Sequence, residues 1–199
     1  MAYRATQLFI LLAVFCFIVP NVRAAANKYP QKCLVDYNQM LNLSPREFDQ
    51  NWEKGWVKLA DIDGCKEAAA NLIALYYSQR DLPDGAMRIL KFHEAQLRAE
   101  LEQYDFALLL FPQTKQDETG TVWNYYVDGT MAFLAKDKAR LEQSIKRLSA
   151  VPKPESFNPI DAEGNPMDVS WPPNLDVLER FKRCFDESYL EAYAGCEEN

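Results

Sequence analysis

The chain is poor in the residues that most often carry chemistry. Its single histidine, His93, excludes a His-Glu-x-x-His metal site. Seven glycines are few for 199 residues, and none forms a phosphate-cradling loop, a Gly-x-Ser-x-Gly elbow or a calcium-binding loop. The five cysteines include no Cys-x-x-Cys pair, which removes the usual zinc and dithiol motifs. Positive charge is also short: 22 Lys and Arg face 29 Asp and Glu, for a formal charge of -7. Such a balance gives no general surface for nucleic acid or anionic lipid. The longest apolar run, residues 8–19, has twelve residues, whereas a bilayer core needs about 20. What is left implies no cofactor, no metal and no nucleic-acid partner.

What is present begins with an export signal. Arg4 precedes the apolar run, and Pro20 leads into Val22-Arg23-Ala24 and two further alanines, the layout of a cleavable secretory leader over residues 1–24. Its removal leaves 175 of the 199 residues, no integral membrane segment, and 20 basic against 29 acidic side chains, a charge of -9. The expected location is periplasmic or secreted. Cys16 goes with the leader, and Cys33, Cys65, Cys184 and Cys196 remain. An even number in a chain bound for an oxidising compartment favours disulfides. Two cysteines lie early and two late, so Cys33–Cys65 and Cys184–Cys196 are the favoured pairs of three possible pairings, each worth about 3 kcal/mol through loop closure.

Residues 25–199 read as one all-α domain. Helical spacing is expected over residues 33–43, 66–79, 86–103, 106–111, 122–135, 138–150, 175–185 and 189–194. Ser44-Pro45-Arg46-Glu47 marks a helix start with a capping box. The row Phe48, Trp52, Trp56, Leu59 then predicts one continuous helix with its aromatics in the core and Gly55 as a weak point. Six of the eleven prolines fall within residues 151–173, which must therefore cross the surface in extended form, with Trp171 packed back on the body. Asn174 is the expected cap of the helix that follows. Residues 174–196 would be C-terminal helices pinned by the second disulfide.

A 34-residue register links two helix pairs. Ala95 matches Gly129, Ala107 matches Leu141, Phe111 matches Ile145, and Leu148 with Pro152 closes the second unit. This pattern resembles the tetratricopeptide repeat, a stack of helical hairpins. Leu141 and the early Pro112 depart from it, and a third unit near residues 52–77 is offset by 38. The resemblance implies about three hairpin pairs over residues 45–153, and the alternative is an irregular helical bundle. The run Val122–Leu134 (VWNYYVDGTMAFL) is also similar to exported proteins of Gram-negative bacteria, a likeness that brings no activity with it.

Carried over by position, the resemblance turns Phe92, Gln96, Trp123, Tyr126, Thr130 and Phe133 toward a recognition groove, with His93 and Asn124 beside them. The alternative is that these aromatics fill a core against the proline-rich segment and His93 is bonded internally. Glu94, Glu100, Glu102 and Asp105 read as solvated surface acids. The expected function is non-enzymatic binding of a protein or peptide partner in the bacterial periplasm. Two narrower or rival readings are an immunity-type inhibitor of an envelope-acting toxin and a carboxylate-dependent envelope hydrolase.

Overall fold

A computed structural model of the chain describes residues 29–117, 121–160 and 164–196; the leader and Cys16 lie outside them. The described residues hold ten α-helices and no strand beyond one isolated bridge, Ile160 to Pro166. The helices are α1 (Tyr37–Leu41), α2 (Pro45–Asp49), α3 (Gly55–Ala60), α4 (Lys66–Ser78) and α5 (Asp84–Glu100) in the first half. They continue as α6 (Tyr104–Leu110), α7 (Val122–Leu134), α8 (Lys138–Ser149), α9 (Leu175–Arg183) and α10 (Tyr189–Ala194). Consecutive helices pack in pairs: α3 on α4, α5 on α6, α7 on α8, and α9 on α10.

Helix α5 is the shared wall of two cores. Leu90 and Leu97 face the N-terminal cluster of Phe48, Leu59, Leu72, Ile73 and Tyr76. Phe92, Ala95 and Ala99 face the C-terminal cluster, built around Phe111, Tyr126, Phe133 and Phe181. A partly buried polar ladder fixes α4 against α5 in antiparallel order. Lys66 pairs with Glu100 at 2.5 Å, Arg98 Nη2 donates to Asn71 Oδ1 at 2.5 Å, and the Tyr77 hydroxyl donates to Glu94 Oε2 at 2.7 Å. Glu94, expected on the surface, is only 4% exposed. Arg98 Nη2 meets its Oε1 at 3.0 Å one turn on, which satisfies the charge that burial would otherwise penalise.

The 34-residue register has a physical counterpart in two turns. Glu102 and Lys136 both adopt the left-handed conformation, at φ 58° and 52°. Each turn carries the same bonds: Glu102 N to Ala99 O and Gln103 N to Arg98 O, then Lys136 N to Phe133 O and Asp137 N to Ala132 O. This is the Schellman arrangement, which ends one helix and turns the chain back. Lys136 also sends its ammonium to the carbonyls of Phe185 and Glu187, at 2.6 and 2.8 Å, at the far end of α9. Ala107, Phe111, Leu141 and Leu148 are fully buried as the register requires. Gly129 is small for a different reason than hairpin packing: a Cβ there would lie 2.6 Å from Leu178 Cδ1 of α9.

Both disulfides form as paired in the sequence reading, with Cα separations of 5.3 Å for Cys33–Cys65 and 5.8 Å for Cys184–Cys196. Ser44 and Glu47 make the expected capping box. Trp171 packs back as expected, its indole N–H donating to Val151 O at 2.8 Å and its ring meeting Phe157. Three expectations need correction. The first helix is reduced to a 3-10 turn at Gln31–Cys33 and the five residues of α1, leaving Leu34 and Tyr37 exposed. Asn174 sits in the left-handed region with no side-chain cap. The helix expected through Phe48 and Leu59 is broken between α2 and α3, because Gly55 at φ 60° packs where a Cβ would lie 1.9 Å from Phe48 O.

Candidate binding site

The break between α2 and α3 creates the site. Phe48 stays fully buried and stacks on Tyr76 with ring centroids 3.8 Å apart. Four residues on, the chain has left the helix, and Trp52 is 78% exposed. Trp56 restarts on α3 and turns its indole inward. One turn of sequence that reads as a single apolar row is thus divided between core and surface.

Asp49, at the end of α2, organises the surroundings. It is 8% exposed, a carboxylate placed where burial is costly without partners. Its Oδ1 accepts from Trp56 Nε1 at 2.9 Å and from His93 Nδ1 at 2.7 Å, and the Gln50 amide bonds to Oδ2. Burial alone would push the Asp49 carboxyl up. The hydrogen bond and charge of His93, with the bonds from Trp56 and Gln50, outweigh it and hold the group below its ordinary value. An ionised carboxylate only accepts, so Nδ1 carries the proton of this bond. His93 Nε2 is left as an acceptor in the neutral ring and a donor in the cation. The imidazole is further held by Trp56, whose ring centroid is 5.1 Å away.

These groups line a cleft between α2–α3 and α5. A depression of about 250 Å³ is bounded by Trp52, Trp56, Val57, His93 and Gln96, with Asp49 and Gln50 at one end. The same Asp49 and Gln50 border a second depression of about 270 Å³, which continues past Arg46, Ala86 and Ile89. Ala86, Ile89, His93 and Gln96 recur at helical spacing, so one face of α5 forms the floor of both.

Most of the groove residues carried over from the repeat pattern lie elsewhere. Phe92, Tyr126, Thr130 and Phe133 are buried. The surface they would line is occupied by the chain's own C-terminal helices: Phe181 of α9 stacks on Phe133 at 4.5 Å, and Phe181 meets Tyr189 of α10 at 5.4 Å. The covering segment is therefore α9–α10 and not the proline-rich stretch. Thr130 donates to Tyr126 O within its own helix. Trp123 and Asn124 anchor the connector after α6, through Trp123 Nε1 to Thr114 O at 2.8 Å and paired bonds of the Asn124 amide to the Gln116 backbone at 2.9 Å. Of the eight candidates, His93 and Gln96 reach a surface cleft. Asp49 and Gln50 join them without having been singled out by the sequence, and Trp52 and Trp56 join them although their spacing placed them in the core. The available signal was Gly55 immediately after a polar run, a helix-breaking position set inside an apolar row.

No family model, curated protein or solved structure matches the chain.

Proposed function

We propose that the protein is an exported, non-enzymatic stack of tetratricopeptide-like hairpins that binds a protein or peptide partner in the bacterial periplasm. Its contact surface in this reading is the cleft between α2–α3 and α5. The observation that carries the proposal is Trp52, which stands 78% exposed beside side chains that are fixed by hydrogen bonds. A large ring held at the edge of a rigid polar cleft is the composition of an interface hot spot. Two adjoining depressions along one helix face suit an extended segment with two side chains inserted. Two disulfides and an expected leader point to the oxidising side of the inner membrane. Among the described residues, no helix is long and apolar enough to cross a membrane.

The test is site-specific photo-crosslinking in producing cells. A photoreactive residue in place of Gln50 is expected to trap a discrete partner, while the same residue in place of Glu142 on α8 traps none. Trp52→Ala should abolish the adduct from position 50. Equal adducts from both positions, or none from position 50, would overturn the reading.

A further inference from the structure

The opposite face of α3 borders a second, chemically different cavity. Whereas Trp56 and Val57 face the Trp52 cleft, Lys58, Leu59 and Ile62 face a slot of about 360 Å³ beneath the N-terminal segment. Its apolar lining is Leu34, Val35, Met40, Leu43, Leu59 and Ile62. All six are aliphatic or thioether side chains, and among the described residues no aromatic ring lines the slot. That composition offers nothing for a sugar or a planar ring to stack on, but it suits a flexible alkyl chain.

The mouth gathers basic side chains in an otherwise acidic protein. Lys32, Lys54 and Lys58 stand around it against a single acid, Glu53, in a chain whose acids outnumber its bases by 29 to 22. Lys54 is partly neutralised by Glu47 at 3.0 Å, and Lys32 lies 3.9 Å from Asp63. Lys58 has no ion pair among the described residues. The walls are fixed in advance. Cys33 immediately precedes Leu34, Cys65 follows the corner that begins at Ile62, and their disulfide ties the two sides together. Gly55 on the wall is locked against Phe48 O.

We infer that this slot binds a free long-chain fatty acid, with its alkyl chain among Leu34, Met40, Leu43, Leu59 and Ile62 and its carboxylate at Lys58. An alkyl chain replaces water over the aliphatic floor, and the carboxylate meets Lys58, the one of the three lysines at the mouth that has no ion pair among the described residues. The volume lies within the usual range for small-molecule sites. This inference stands apart from the Trp52 cleft, since the two cavities share no lining residue.

The experiment is displacement of a fluorescent fatty-acid probe from the purified mature protein by linear alkanoic acids of increasing length and by the matching alkanols. Saturable binding is expected, tightening about fourfold per methylene until the slot is filled and then levelling. Lys58→Glu should weaken alkanoates about fivefold and leave alkanols unchanged. Met40→Glu should weaken both, its folding checked by circular dichroism; if it does not fold, Lys58→Glu decides alone. Absence of saturable binding, or alkanoate affinity indifferent to Lys58→Glu, overturns the inference. So does Lys58-dependent binding to vesicles of anionic phospholipid without binding of the monomeric acid, which would make the slot a membrane contact.

Discussion

The two sides of α5 solve the same packing problem differently. On the C-terminal side α7 and α8 run for 13 and 12 residues, and α9 and α10 close over them, so that Phe133, Phe181, Phe185 and Tyr189 interlock. On the N-terminal side α1, α2 and α3 have only 5, 5 and 6 residues. Helices that short are marginal on their own. They are held by the Cys33–Cys65 bridge, the Ser44–Glu47 capping box and the bonds around Asp49. The corners between these short helices border the three cavities described above. These cavities therefore lie where the secondary structure is most interrupted.

This contrast can be broken first in the closed half. Phe181→Ala, which removes a fully buried ring stacked on Phe133, is expected to cost about 4 kcal/mol, read as a loss in urea-unfolding free energy. Removal of each disulfide comes next. Cys33 and Cys65 enclose 32 residues of separation, and Cys184 and Cys196 enclose 12. Loop-closure entropy gives about 3.7 kcal/mol for the first and about 2.8 kcal/mol for the second. Paired Cys→Ala variants compared by thermal melting should preserve that order. The reverse order would mean that the short N-terminal helices do not depend on their staple.

Gly55→Ala and Gly129→Ala sharpen the comparison at single positions. The added Cβ at Gly55 meets a backbone carbonyl in a left-handed conformation, while at Gly129 it meets the movable end of Leu178. Losses of roughly 3 and roughly 1.5 kcal/mol are expected in chemical denaturation. Asp49 supplies a pH-dependent difference. Its folded carboxyl is held below the ordinary 3.8, so its contribution is present above that value and is lost as pH falls through the folded one. The stability advantage of the native protein over Asp49→Asn should therefore shrink toward low pH in urea titrations run from pH 6 to pH 2. An advantage that grows on acidification would contradict the depressed carboxyl. The smallest effect is expected from Trp52→Ala. It should change stability by less than about 0.5 kcal/mol, although it removes as large an aromatic group as any core substitution.

Much of the closed half was legible in the sequence because its signals agree with one another. The α7 and α8 boundaries, the tight Lys136-Asp137 turn and the burial of Leu141 and Leu148 all follow from one helical period and one repeat register. The groove assignment failed on the same residues, since spacing shows that Tyr126 and Phe133 share a face but not what covers it. The cover, α9–α10, comes from residues beyond the proline-rich segment, and such long-range pairing leaves no mark in local periodicity. In the open half the signals conflict. Phe48, Trp52 and Trp56 have helical spacing, yet Gly55 takes a left-handed backbone that a continuous helix running through it does not allow, and the steric demand of one position outweighs the period of three. Asp49 was silent in the sequence for a related reason: its importance comes from His93, 44 positions away.

Glu102 and Lys136 occupy the same strained turn in successive units, and their side chains are used differently. A left-handed residue that is not glycine carries a conformational penalty. Lys136 offsets it by holding the carbonyls of Phe185 and Glu187 just beyond α9; among the described residues no comparable hold involves Glu102. Replacement by glycine should accordingly relieve the first turn and loosen the second. The consequence concerns the length of the array. The place that a further hairpin would take beside α8 is occupied by α9, a helix clasped at its far end from the turn between α7 and α8. Lengthening the stack after α8 would first require releasing that clasp.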